Sequence, residues 1–135
     1  MTILGIDHIG IAVNNLSEAI DSYSLLGYKC VDNLIVFPQK KIQIQYMELD
    51  NLKIELITPL NYYVSSPVDR YIAMNKGYIM YHTCYSVDDI YSQINDLKKK
   101  KYSLIETPSE SLAMNNRVAC YLFNRKMGLV ELVQD

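Results

Sequence analysis

Residues 5–13 read GIDHIGIAV, with Ile9, Ile11 and Val13 at alternate positions and His8, Gly10 and Ala12 between them. A period of two predicts a strand with one bulky and one small face. Asn15 stands three residues before Glu18, the spacing of a capping box. Leu16, Ala19, Ile20, Tyr23 and Leu26 follow at helical spacing, and Gly27 can end that helix in left-handed backbone. Strands are expected over 35–37, 42–49 and 52–58, with Asp50-Asn51 as the turn of a hairpin. Then comes a bridge in which Ser66 can cap a short helix that starts at Pro67 and stops at Gly77. After it the pattern resumes: a strand over YHTCYSV (81–87), a helix capped by Asp89 and carrying Ile90, Ile94 and Leu97, and strands over 103–107, 117–123 and 128–134.

The resumption is a repeat. His8 and His82 are each followed five residues later by valine, Val13 and Val87, then by Asn14-Asn15 and Asp88-Asp89, then by Leu16 and Ile90, and by Ile20 and Ile94. All these pairs share an offset of 74 residues, so each half reads as one copy of a β-α-β-β-β unit. The expected fold is α+β: two βαβββ modules forming a curved, cup-shaped mixed sheet with helices on its outer face. The modules span residues 1–60 and 78–135, joined by a connecting segment with a short helix over 61–77, in one compact domain. Each strand's bulky face packs under a helix. The small faces, carrying His8 in one copy and His82, Cys84 and Ser86 in the other, turn toward the concave side.

Composition limits the partners. Half of the 135 residues are hydrophobic, enough for a core, and no apolar run is long enough to span a bilayer. The N-terminus lacks the apolar segment of a signal peptide. Net charge is −2 with both signs mixed, which leaves no nucleic-acid footprint. The basic run Lys98 to Lys101 follows a helix and reads as its solvated end. Cys30, Cys84 and Cys120 are odd in number and lack CxxC spacing, so they are expected as reduced thiols of a cytoplasmic protein.

The chain has only two histidines, and they occupy matched places. The last strand of each unit also carries one acid in an apolar run, Glu55 in KIELI and Glu131 in LVELV. A carboxylate inside a strand is costly unless it is paired or binds a metal. His8, Glu55, His82 and Glu131 therefore form a candidate site for one divalent ion, with water or substrate completing the sphere. Two nitrogens and two carboxylates without thiolate suit Co, Ni, Mn, Fe or Zn. The competing reading makes both histidines core residues bonded to backbone and puts both glutamates on exposed faces. Cys84 shares His82's face, where packing accounts for it.

GIDHIGIAVNNLSEAIDSY, NLKIELITPL, SSPVDRYIAMNKG, HTCYSVDDI, DLKKKK and VELVQ fall in the order seen in the vicinal oxygen chelate superfamily, the glyoxalase/bleomycin-resistance/dioxygenase fold. Nearly end to end, the chain resembles its methylmalonyl-CoA epimerase family most. The resemblance implies metal ligation by His8, Glu55, His82 and Glu131. It also implies a metal-dependent enzyme that abstracts an α-proton next to a carbonyl, an epimerase of a methylmalonyl-CoA-like acyl thioester. Glu131 and Glu55 are the candidate catalytic acids and bases. Arg117 matches an arginine of some members, and with Cys84 it is a candidate substrate-binding residue. Ile44 stands where some epimerases carry a second proton-transferring glutamate. A lactoylglutathione lyase (glyoxalase I)-like isomerase acting on a thiol adduct could use the same four ligands, and some superfamily members only sequester ligands, as resistance proteins do. The expected partners are an acyl-CoA or other thioester and a second copy of the chain in a homodimer, with neither nucleic acid nor membrane.

Overall fold

The computed structural model describes residues 3–60, 66–74 and 78–135. Its elements are β1 (Ile3–Val13), α1 (Leu16–Leu25), β2 (Lys29–Phe37), β3 (Ile42–Leu49), β4 (Leu52–Pro59), α2 (Asp69–Met74), β5 (Tyr78–Val87), α3 (Ile90–Lys99), β6 (Ser103–Leu104), β7 (Ser109–Glu110), β8 (Val118–Asn124) and β9 (Gly128–Gln134). This is an α+β fold built on mixed sheet, as the periodicity predicts. None of its helices is long and apolar enough to cross a membrane.

The chain divides into two compact units. One runs from Ile9 to Tyr81; the other holds the start of β1 up to His8 and everything from His82 onward. In the first unit the strand order is β2-β3-β4-β1, with β1 and β4 parallel and the other pairs antiparallel. In the second it is β5-β9-β8-β6, with β5 and β9 parallel and β7 also pairing with β8. The matched order extends to register. Gly10, two residues after His8, pairs with Glu55; Cys84, two residues after His82, pairs with Glu131.

Helices α1 and α3 start and stop by the same devices. The Asn15 side chain accepts from the Glu18 N–H at 3.0 Å, and Asp89 accepts from the Ser92 N–H at 3.2 Å. At the end of α1 the Tyr28 N–H reaches the Tyr23 carbonyl and the Gly27 N–H reaches that of Ser24, with Gly27 at φ +101°. At the end of α3, Tyr102 bonds to Leu97 and Lys101 to Lys98, with Lys101 at φ 68°. These are two Schellman motifs, and Gly27 and Lys101 again stand 74 residues apart. Tyr23 and Tyr28 pack edge to face at 5.1 Å, closing the first motif with its apolar contact.

The bulky faces lie under the helices. In the first unit Leu16, Ala19, Ile20 and Tyr23 pack on Ile11, Val13, Met47, Ile54 and Leu56. In the second, Ile90 and Ile94 pack with Val87, Cys120, Leu122, Val130 and Leu132. At about 25 cal/mol per Å² of apolar surface, each fully buried Leu or Ile contributes about 2 kcal/mol.

Three elements differ from expectation. The strand expected over 103–107 stops at Leu104, and a second short piece, Ser109–Glu110, follows Pro108. Ile105 still donates to the Tyr121 carbonyl, but Pro108 has no N–H and interrupts the ladder. The strand expected over 35–37 begins at Lys29, with an irregularity between Val31 and Ile35 where Asp32 takes φ 62°. Such a bulge on an end strand breaks the alternation that would have revealed it. The bridging helix begins at Asp69 instead of Pro67. Ser66 does not cap it as an acceptor: its N–H and hydroxyl both donate to the Asp69 carboxylate. Gly77, expected to stop that helix, lies outside the described residues. The Asp50-Asn51 hairpin is as expected, with Leu49 paired to Leu52 and Asp50 at φ 53°.

Candidate metal centre

Strand alternation turns His8 out of the face covered by α1. β5 does the same for His82, and β9 brings Glu131 across from Cys84. All three side chains are buried: His8 fully, His82 and Glu131 to 4% exposure. Their donor atoms converge. His8 Nε2 and His82 Nε2 lie 3.2 Å apart, and Glu131 Oε1 is 3.2 Å from each.

A triangle with 3.2 Å edges fits one ion. Donors about 2.1 Å from a metal stand about 3.0 Å apart at a right angle and about 3.4 Å apart at the tetrahedral angle. Glu131 Oε1 makes no directional hydrogen bond despite its two short contacts, and a buried acceptor in that position is costly. Burial pushes the Glu131 carboxyl up, but the polar contacts and charge of His8 and His82 outweigh it and hold the group at about 2. The carboxylate is thus an anion facing two imidazoles, a donor set that suits a divalent cation.

Neighbouring groups hold the rings. The His8 and His82 rings meet edge to face at 5.4 Å, and the Tyr121 ring stands against His82 at 5.2 Å and 90°. His8 Nδ1 lies 2.8 Å from an Asp7 carboxylate oxygen, and the other Asp7 oxygen accepts from Arg117 at 2.9 Å. Asp7, His8 and Cys84 form a second group of potential ligands within 4.8 Å of one another. The Cys84 thiol, however, is fully buried with Met114, Ala119 and Val133.

The structure therefore brings together three of the four expected ligands, His8, His82 and Glu131. Glu55 belongs to the other unit. It is buried there on β4, and its Oε2 accepts from the Tyr46 hydroxyl at 2.6 Å. Tyr46 and Glu55 are register partners on β3 and β4. Ile44, two residues before Tyr46, is likewise buried. Arg117 is engaged by Asp7, and its Nε also reaches the Met114 carbonyl at 3.4 Å. Reading the sequence for function missed Asp7, Tyr46 and Tyr121. Asp7 adjoins His8, but alternation sends adjacent strand residues to opposite faces, so no pattern announces their contact. Tyr46 and Tyr121 are two among 12 tyrosines.

Comparison with known proteins supplies the family. Residues 7–121 match the Glyoxalase/Bleomycin resistance protein/Dioxygenase superfamily. The human mitochondrial methylmalonyl-CoA epimerase is 33% identical over 134 residues, covering 96% of this chain and 73% of that protein. The mouse mitochondrial methylmalonyl-CoA epimerase is 30% identical over 132 residues, covering 96% and 72%. The crystal structure of methylmalonyl-CoA epimerase from Mycobacterium tuberculosis superposes with a TM-score of 0.81 at 24% identity, covering 98% of this chain and 88% of that one, a likeness of fold. The chain belongs to the glyoxalase/bleomycin resistance/dioxygenase superfamily and, within it, to the methylmalonyl-CoA epimerase family of isomerases.

Proposed function

We propose that this chain is a metal-dependent epimerase of a methylmalonyl-CoA-like acyl thioester. The observation that carries the reading is the buried triangle of His8 Nε2, His82 Nε2 and Glu131 Oε1 with 3.2 Å edges. Glu55 is the proposed fourth ligand. Its support is the repeat: Glu55 pairs with the residue two after His8, as Glu131 pairs with the residue two after His82. The ion is one of Co, Ni, Mn, Fe or Zn. Bound there, it would supply positive charge that stabilises a thioester carbonyl oxygen next to an acidic C–H.

The chain's own residues do the remaining work. His8 and His82 are nitrogen donors whose rings are held by Asp7, by Tyr121 and by each other. Glu131, held ionised, takes the α-proton and can return it. Inversion requires delivery to the opposite face, and Glu55, with the Tyr46 hydroxyl bound to it, is the proposed second acid. Burial of all four side chains keeps bulk water from competing for the proton. The substrate class follows the activity for which the relatives are named. A homodimer completes the proposal, supported by the exposed apolar side chains of Ile3, Leu4 and Ile6 on β1.

The test is α-proton exchange followed by NMR in deuterated water, over a panel of acyl-CoA thioesters and glutathione hemithioacetals, with each metal in turn. Metal-dependent exchange confined to branched acyl-CoA substrates supports the proposal. Turnover of hemithioacetals alone would move the chain to a glyoxalase I-type isomerase. Tight metal-free ligand binding without exchange would make it a sequestering protein.

A further inference from the structure

We propose that Asp7, anchored by Arg117, is a positioning residue for the metal centre: it fixes the tautomer of His8 and raises the donor strength of its Nε2. The proposal rests on the reading of His8, His82 and Glu131 as metal ligands.

The argument begins with the proton. A ring that gives its Nε2 lone pair to a metal keeps its proton on Nδ1, and Asp7 Oδ2, 2.8 Å from that atom, is placed to accept it. Nε2 is the atom 3.2 Å from both His82 Nε2 and Glu131 Oε1. His8 is fully buried, so water does not offer its Nδ1 an alternative partner. An anion on the far side of a metal-binding imidazole increases its basicity and holds its plane.

Asp7 is itself held. Its Oδ1 accepts from an Arg117 terminal nitrogen at 2.9 Å, across 110 residues of sequence. Arg117 leaves a turn in which Asn115 and Asn116 both adopt positive φ, 54° and 63°. The Ser111 N–H donates to the Arg117 carbonyl, and the Arg117 N–H donates to that of Met114. Met114 docks the turn by packing into the buried cluster with Cys84, Ala119 and Val133. The guanidinium holds one Asp7 oxygen while the other stays on His8. An ion pair that only tied the turn to β1 would have no need of the second Asp7 oxygen on a buried imidazole.

The test is a Co(II) titration of purified wild type, Asp7→Asn, Asp7→Ala, Arg117→Met and Arg117→Lys, reading the dissociation constant and the visible spectrum of bound cobalt. The urea midpoint of each metal-free protein is recorded alongside. Asn keeps the shape and one acceptor but not the charge, so Asp7→Asn should fold normally, bind Co(II) about 10–100-fold more weakly, and shift the spectrum. Arg117→Met should weaken binding in the same direction but less, and Arg117→Lys should recover part of the loss. Should Asp7→Asn fail to fold, Arg117→Met still reads the relay from its half-exposed end. Wild-type affinity and spectrum in the variants, with or without a lowered urea midpoint, would overturn the proposal alone. A wild type that binds no Co(II) would overturn the metal reading and the proposal with it.

Discussion

Glu131 is asked to serve as ligand and as base, and a single substitution separates the roles. Glu131→Gln keeps an oxygen donor at nearly the same place and removes the basicity. It should retain much of its metal affinity, measured by calorimetry, while α-proton exchange falls by about 10²–10⁴-fold, the usual worth of a positioned base. Undiminished exchange would transfer the role to Glu55. The cysteines allow a separate check on burial. Cys30 is exposed, while Cys84 and Cys120 are buried. Burial, with smaller effects from Glu131 and Glu106, pushes the Cys120 thiol up to about 12. At pH 8 an aromatic disulfide reagent should therefore titrate one thiol rapidly in the native protein and three after denaturation. Rapid reaction of a second native thiol would contradict the described packing.

At the scale of elements, the repeat predicts opposite responses at equivalent positions. Gly27 and Lys101 both close a Schellman motif at positive φ, but only glycine does so without steric cost. Lys101→Gly should stabilise the protein by about 0.5–1 kcal/mol in urea denaturation. Gly27→Ala should destabilise it by a similar amount, since φ +101° is strained for any residue that carries a Cβ. Equal responses at the two positions would show that the second motif is not formed as described. These helix ends were legible because capping and stopping are local: Asn15, Asp89 and Gly27 act on backbone within a few residues. The end strands were less so. β2 carries a bulge, and the stretch before β8 is cut by Pro108, so neither keeps the uninterrupted period of two that marks β1, β4 and β9.

At the scale of the whole molecule, the 74-residue offset carried the fold class and paired the two histidines, and one acid on the last strand of each unit, Glu55 and Glu131, completed the candidate ligands. What it could not carry is contact between residues outside the repeat pattern. Arg117 and Asp7 are 110 residues apart and have no counterpart pair, so their bond depends on a turn whose form the sequence does not announce. If the cluster is a resident metal site, binding must couple to folding. At a free metal concentration about 100 times the dissociation constant, the native state should gain about 2.7 kcal/mol, seen as a raised melting temperature. His82→Ala should abolish that rise.

The most direct measurement is anomalous diffraction at the cobalt absorption edge from crystals soaked in Co(II). The account predicts one strong peak per chain at bonding distance from His8 Nε2, His82 Nε2 and Glu131 Oε1. No peak there, or His8, His82 and Glu131 turned away from one another around an ion bound elsewhere, would contradict it.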